Sequence, residues 1–138
     1  MRRKIKEPII LFTCGGAIYC IIEILFRGYT HWSMFIAGGL CLFILYNLYG
    51  AIEADSGQRC SLWHKCALGT LVITAVELTS GIFVNILFGL SVWDYSAVPF
   101  NYLGQICPAF AALWFFLCIP VIFLCDFFNA IFHRRENV

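Results

Sequence analysis

Charged side chains are scarce in this sequence of 138 residues, where Asp, Glu, Lys and Arg make up 12% and hydrophobic residues 62%. A soluble domain carries about 25% charged residues, so this composition excludes an ordinary water-soluble globule and predicts a chain that folds in a membrane. The length fits one domain. The formal net charge of +1 gives no reason to expect nucleic acid as a partner.

Catalytic and nucleotide-binding motifs are also missing. The sequence has no Walker motif, nucleophile elbow, HExxH or glycine-rich phosphate loop, so we expect no enzyme, no cofactor and no ATPase activity of its own. Cys60, His64 and Cys66 have some metal-ligand character. Zinc sites favour C-x2-C spacing and need a fourth ligand, so we predict no metal site. The eight cysteines lie mostly in apolar runs and are interpreted as reduced, small hydrophobic residues.

Long apolar runs dominate the sequence instead. About 20 helical residues cross the hydrocarbon core of a bilayer. The first run follows a basic start, as in a signal peptide, but it is longer than a usual signal segment and has no small-residue cleavage site, so we expect it to be retained. We predict a single integral membrane domain over residues 1–138, all-α, with spans at about 8–26, 33–52, 67–88 and 103–128.

Local signals refine these spans. Ser33 is predicted to cap the second helix, and Leu62–Cys66 to be an amphipathic interfacial segment before the third span, with Trp63 and Lys65 as anchors. Pro108 fits the first turn of the fourth span, whereas Pro120 lies inside it and should bend it. Asn101 is either a cap of that last helix or part of a binding site.

Basic residues predict the orientation. With both termini in the cytoplasm, only Arg27 lies outside, and the positive-inside rule favours that arrangement. Aligning Glu23 with Glu77 reveals a faint repeat, which predicts a four-helix bundle built from two helix hairpins. The residues expected inside are Arg2, Arg3, Lys4, Lys6, Arg59, Lys65, Arg134 and Arg135.

Glu77 is the central candidate residue. Thr70, Thr74, Glu77, Gly81 and Asn85 follow steps of four, three, four and four residues, which predicts one shared helix face. An ionisable group in a span is costly in lipid and usually faces a partner helix or a wet cavity. Glu77 is therefore predicted inside the bundle as a functional group. A pairing with Arg27 would instead make it structural.

Glu23 and Arg27 stand four residues apart in the favourable order for a helical ion pair. Two interpretations stay open here. The pair is purely structural, or Glu23 and Glu77 together hold a cation or a cationic group.

Polar residues concentrate in the outer half of the predicted bundle, as an outward-facing binding pocket requires. His31 and Asp94 lie in its turns. Trp32, Trp93 and Tyr95 fit interfacial anchoring, and the last two are also candidates for the pocket. The candidate substrate-binding residues are Glu77, Glu23, Arg27, Asp94, Asn85, Asn101, Gln105, Trp93 and Tyr95.

The stretch from Glu77 to Cys107 reads E-L-T-S-G-x-x-x-N, then G-L-x-V-W-D-Y-S, P-F-N and G-Q-I-C. It resembles the bacterial family described as putative ABC-transporter permease, type IV, with a fainter echo in Glu23, Gly28 and Trp32. The resemblance implies a multi-pass bacterial inner-membrane protein with a transport role. The inner linker of about nine residues offers little docking surface for an ATPase, and four spans enclose little space, so a homo-oligomer or a partner subunit is expected.

These observations predict a membrane protein that binds or transports a small solute, with cations among the candidates, at a pocket around Glu77. If transport is proton-coupled, Glu77 exchanges a proton for cargo. A non-transporting scaffold or partner subunit of a larger complex is the alternative. A third class is an enzyme on a lipid-linked substrate that uses Glu77, Asp94 or His31 as acid or base. Membrane lipids are partners in every case.

Overall fold

Four long helices make up most of the computed structural model, which describes residues 2–134, with side chains from Ile5 onward. Each is long and apolar enough to cross a membrane, and no strand occurs in this range, so the all-α prediction is confirmed. Arg135 and the side chains of Arg2, Arg3 and Lys4, used for the orientation, lie outside the described part. The helices are α1 (Arg2–Arg27), α2 (Trp32–Ser56), α3 (Leu62–Gly81) and α4 (Pro108–Arg134).

Glycines bring α1 and α2 into close contact. A Cβ atom on Gly16 would lie 2.6 Å from the Phe35 carbonyl oxygen, and one on Gly39 would lie 2.7 Å from that of Phe12. No larger residue fits at either position, which is the usual way for membrane helices to approach each other closely. Because the earlier residue of α1, Phe12, meets the later residue of α2, Gly39, and Gly16 meets Phe35, the two helices run antiparallel.

The helix starts differ from two sequence-based predictions. The ring nitrogen Nδ1 of His31, not the side chain of Ser33, caps α2 by accepting the Ser33 backbone N–H at 3.3 Å. The hydroxyl of Ser61 caps α3 by accepting the His64 N–H at 3.3 Å. The helix therefore starts at Leu62, ahead of the predicted start of the span at 67, and residues 62–66 form its first turns.

A π-helical segment, Ile82–Leu87, continues α3 and leads into an ordered connection to α4. This connection closes on itself, because the Tyr102 N–H donates to the Ile106 carbonyl at 2.9 Å. The chain cannot be helical there, so α4 starts at Pro108 rather than 103. It then runs through Pro120 to Arg134, past the predicted end at 128.

The inner end of the bundle, named for the predicted orientation, pairs its charges. Lys65 is only 4% exposed, and its Nζ lies 2.5 Å from Oε1 of Glu53 and over the ring of Tyr49. Arg59 and Asp126 form a second, exposed ion pair at 3.2 Å. A polar cavity of about 610 Å³ lies between the ends of α2 and α4 beside these pairs.

Candidate functional site

Glu77 faces the interior of the bundle, as predicted, and is 6% exposed. The predicted stripe is only partly correct, because Thr70 and Thr74 lie beside the buried line, and the Thr70 hydroxyl donates to the Cys66 carbonyl at 2.8 Å. Steps of three and four follow the 3.6-residue period more closely than repeated steps of four. The buried residues of α3 are Lys65, Cys66, Gly69, Ile73, Glu77 and Gly81.

Two aromatic side chains hold the Glu77 carboxylate. The Tyr19 hydroxyl on α1 donates to Oε1 at 3.2 Å, and the Trp114 Nε1–H on α4 donates to Oε2 at 2.9 Å. The two rings stack on each other, with centroids 5.7 Å apart. The predicted alternative of a Glu77–Arg27 pair does not occur. One carboxylate thus connects three helices through neutral donors.

Tyr19 and Trp114 also line a cavity of about 320 Å³ near the middle of the spans. The remaining wall is apolar, and Glu77 lies behind the two rings rather than in the wall. Its volume falls at the small end of ligand pockets, which range over roughly 300–1,000 Å³. The other lining residues are Gly15, Ile18, Ile22, Gly38, Cys41, Leu42, Leu45, Ile73, Leu117, Pro120, Val121 and Leu124.

Glu23 and Arg27 form the predicted ion pair at the outer end of α1. Arg27 Nη2 donates to Glu23 Oε1 at 2.8 Å, and Nη1 donates to the Val92 carbonyl at 3.3 Å. Arg27 therefore also ties the connection between α3 and α4 to α1. Because Tyr19, Glu23 and Arg27 follow one another at four-residue spacing, Glu23 lies one turn from the Tyr19 that contacts Glu77.

A neutral network brings together three of the predicted site residues. Asn85 Nδ2 donates to Gln105 Oε1 at 2.7 Å, and Asn85 Oδ1 accepts the Val92 N–H at 2.7 Å. The indole of Trp93 donates to the Gln105 carbonyl at 3.0 Å. These polar groups bind one another, and none of them lines either cavity described above.

Trp93 and Tyr95 are buried, so the interpretation of their rings as interfacial anchors is wrong. Both belong to an outer hydrophobic cluster with Met34 and Val92, and Tyr95 stacks on Phe110 at 4.5 Å between ring centroids. Burial raises the pKa of Tyr95 well above its usual value. The two rings are buried because the connection between α3 and α4 packs against the helices. Trp32 remains exposed, as an anchor requires.

Asp94 and Asn101 stabilise exposed turns apart from the buried acids. Asp94 accepts hydrogen bonds from the hydroxyl and backbone N–H of Ser96, which lower its pKa below the usual value. Asn101 donates to the Val98 carbonyl at 2.8 Å and accepts the Gly104 N–H at 3.0 Å. It does not cap α4, so that prediction is wrong.

Sequence reasoning missed Tyr19 and Trp114, the two residues that contact Glu77. A signal was present, because a buried Tyr or Trp normally finds an acceptor for its O–H or N–H. Glu77 is the acidic residue in the third span. Searching the other spans for aromatic donors gives a short set that contains this pair, together with Trp32, Tyr46 and Tyr49, but it does not single the pair out.

A family model described as "Putative ABC-transporter type IV" matches residues 9–136, nearly the whole chain. No solved structure matches this chain.

Proposed function

The chain belongs to this ABC-transporter type IV family and is a multi-pass, transporter-like membrane protein, and on that premise we propose that it binds a small amphipathic cation for transport. The apolar part of the solute occupies the cavity between α1, α2 and α4. Its positive group binds Glu77. The proposal keeps the predicted role of Glu77, but the solute reaches it from the apolar cavity instead of from an outward-facing polar pocket.

The observation that carries this proposal is that both hydrogen-bond donors of Glu77 line the cavity. Rotation of Tyr19 or Trp114 gives a bound solute access to the carboxylate. Their rings offer π faces to a cation on the way, which attract it when water is excluded. A buried carboxylate with only neutral partners also gains from meeting a positive charge.

Sequence and fold together suggest the membrane, the orientation and the partners of the protein. The family resemblance implies a bacterial inner membrane, and the basic residues favour both termini inside. The connection between α2 and α3 spans only Gly57–Ser61, a smaller docking surface than the linker predicted from sequence. We therefore propose that a second copy or a partner subunit completes the transport path, and that the chain acts without ATP-driven coupling through this loop.

Calorimetric titration of the protein in nanodiscs with benzyltrimethylammonium tests the proposal, with tetramethylammonium as the cation that lacks an apolar body. We expect the benzyl compound to bind more tightly. Glu77→Gln should weaken its binding by about tenfold or more, because the charge partner is lost. Asp94→Asn is the control and should bind as wild type does. Equal affinity in wild type and Glu77→Gln would overturn the proposal.

A scaffold or partner subunit is the second candidate function. It is favoured by the hydrogen bonds that already satisfy both carboxylate oxygens of Glu77 between three helices. On this account Glu77→Gln changes helix packing or assembly, measured by native mass spectrometry, and the cation does not bind wild type. The enzyme alternative has no comparable support, because His31 caps α2 and Asp94 holds an exposed turn.

A further inference from the structure

The polar cavity at the inner end, called the inner cavity below, directly continues the apolar cavity near the middle of the spans. On α2, the wall of the apolar cavity ends at Leu45 and the wall of the inner cavity begins at Tyr46. On α4, the same change falls between Leu124 and Cys125. The two cavities therefore lie end to end between α2 and α4, and the side chains at these two steps separate them.

The inner cavity suits a cation on its way between water and the bundle. Its wall carries the carboxylates of Glu53 and Asp126, whose negative oxygens attract a positive charge. Lys65 contacts one oxygen of Glu53, and Arg59 contacts one oxygen of Asp126. The wall therefore holds a cation less firmly than an acid without a base would, and a route needs this, because a solute must enter readily and still leave. The other polar lining residues are Tyr46, Asn47, Tyr49, Asn129 and His133.

The apolar cavity is covered towards the outer end of the bundle. Tyr19, in its wall, stacks on Trp114 and also packs against the outer hydrophobic cluster. That cluster contains Trp93 and Tyr95 from the connection between α3 and α4. The space beyond Tyr19 is thus filled by side chains, and a solute leaving in that direction would have to displace the connection.

Entry from the side is less favourable for a charged solute. Ile18, in the wall of the apolar cavity, is 37% exposed, so this wall borders lipid as well. A cation that entered there would first have to cross hydrocarbon, which is costly for a charge that cannot be neutralised. The inner cavity offers polar groups along the way instead.

We infer that the inner cavity is the mouth of the route by which the cation reaches Glu77, and that this route runs between α2 and α4. The inference rests on the proposed function and deepens it, because it names the end of the bundle at which the cation enters and leaves. The chain itself then supplies the inner half of the transport path.

Gly50 is the place to block this route. It lies at the middle of the α2 face that lines the inner cavity, with Tyr46 and Ala54 one turn away on either side. A Cβ atom on Gly50 would meet nothing within 4 Å, so a large side chain has room there. Gly50→Trp should slow both association and dissociation of radiolabelled benzyltrimethylammonium in nanodiscs by about tenfold or more. The Kd should change by less than about twofold, because a block on the route affects both rates equally.

Two further variants make this result specific. Ala54→Trp fills the same mouth from the next turn of α2, and it should slow both rates even if Gly50→Trp fails to fold. Leu71→Trp is the matched control for an added indole. Leu71 is 68% exposed on α3 and lines neither cavity, so this variant should keep the wild-type rates.

Two results would overturn the inference while the proposed function stands. Unchanged rates in both α2 variants would show that the cation enters from lipid or from the outer end. A larger Kd with an unchanged association rate would show that the inner cavity is part of the binding site and not of the route. Failure of the proposed function looks different, because benzyltrimethylammonium then does not bind wild type or binds Glu77→Gln equally well, and the route falls with it.

Discussion

The inner and outer ends of the bundle partner their acids in different ways. At the inner end, Glu53 has Lys65 at 2.5 Å and Asp126 has Arg59 at 3.2 Å. In the outer half, Glu23 has Arg27, and Glu77 has only the neutral donors Tyr19 and Trp114. Each of these two inner acids thus has a base, whereas the two buried acids of the outer half have one base between them.

This difference separates two reasons for keeping charge in a membrane helix. A fully paired acid needs nothing further, and its removal leaves the partner unpaired in a low-dielectric interior. An acid without a base keeps its attraction for a cation from solution. Intramembrane ionisable residues are candidates for solute or ion sites by default, and an acid of that second kind has no base to explain it otherwise. The comparison predicts stability defects from the inner end and binding defects from the outer half.

The largest expected effect on stability is at Glu53. Glu53→Gln leaves the Lys65 ammonium buried beside a neutral amide, which should reduce the free energy of unfolding by about 3–5 kcal/mol. The double variant with Lys65→Met should recover most of this loss, because it removes both charges. Asp126→Asn, whose partner Arg59 is exposed, should cost only about 0–1 kcal/mol. Denaturant unfolding in bicelles measures all three, and a mild Glu53→Gln variant would contradict this view of the inner end.

Glu77 should show the opposite pattern, with a small stability effect when only its charge is removed. Glu77→Gln keeps an acceptor for the aromatic donors and should change the free energy of unfolding by less than about 1 kcal/mol. Glu77→Leu leaves the Tyr19 O–H and the Trp114 N–H unpaired, at about 1–3 kcal/mol each. The same unfolding assay compares them. A Glu77→Gln variant as unstable as Glu77→Leu would show that charge, not hydrogen bonding, holds this site together.

The local part of this comparison could be predicted from the sequence, and the long-range part could not. Apolar runs indicated four spans, and four-residue spacing indicated the Glu23–Arg27 pair, because both signals lie within one helix. Tyr19 and Trp114 lie 58 and 37 residues from Glu77 in the chain. Periodicity predicts which face of a helix is buried, but it does not predict which residue of another helix contacts that face.

The connection between α3 and α4 shows the same limit. Its aromatic and polar residues fit an interfacial turn, yet Trp93 and Tyr95 are buried. The connection follows the π-helical residues Ile82–Leu87 at the end of α3. Arg27 holds it from another helix by donating to the Val92 carbonyl. Neither feature has a local sequence signal.

Breaking the neutral network of Asn85, Trp93 and Gln105 should have an intermediate effect on stability. Gln105→Leu removes the acceptor of Asn85 Nδ2, 2.7 Å away, and should cost about 1–3 kcal/mol. Hydrogen exchange of the Val92 amide should also increase, since Asn85 holds that amide. Thr79→Ala, on an exposed helix surface where the hydroxyl donates only to its own helix, is the control. Unchanged exchange at Val92 in Gln105→Leu would show that the connection is held elsewhere.

The smallest effect is expected from pH at Asp94. Its hydrogen bonds from Ser96 hold the pKa below the usual 3.8, so the carboxylate form stabilises the turn. That contribution is fully present above the pKa of the unfolded chain and is lost as the pH falls through the lower pKa of the folded state. The unfolding midpoint of wild type should therefore decrease below about pH 4 more than that of Asp94→Asn. Because Asp94 is exposed, binds Ser96 and does not line the cavity beside Glu77, benzyltrimethylammonium binding should be the same in both proteins at neutral pH. A binding defect in Asp94→Asn would instead extend the functional region from the buried acids to the surface turn, and the contrast between the two ends would then no longer depend on burial.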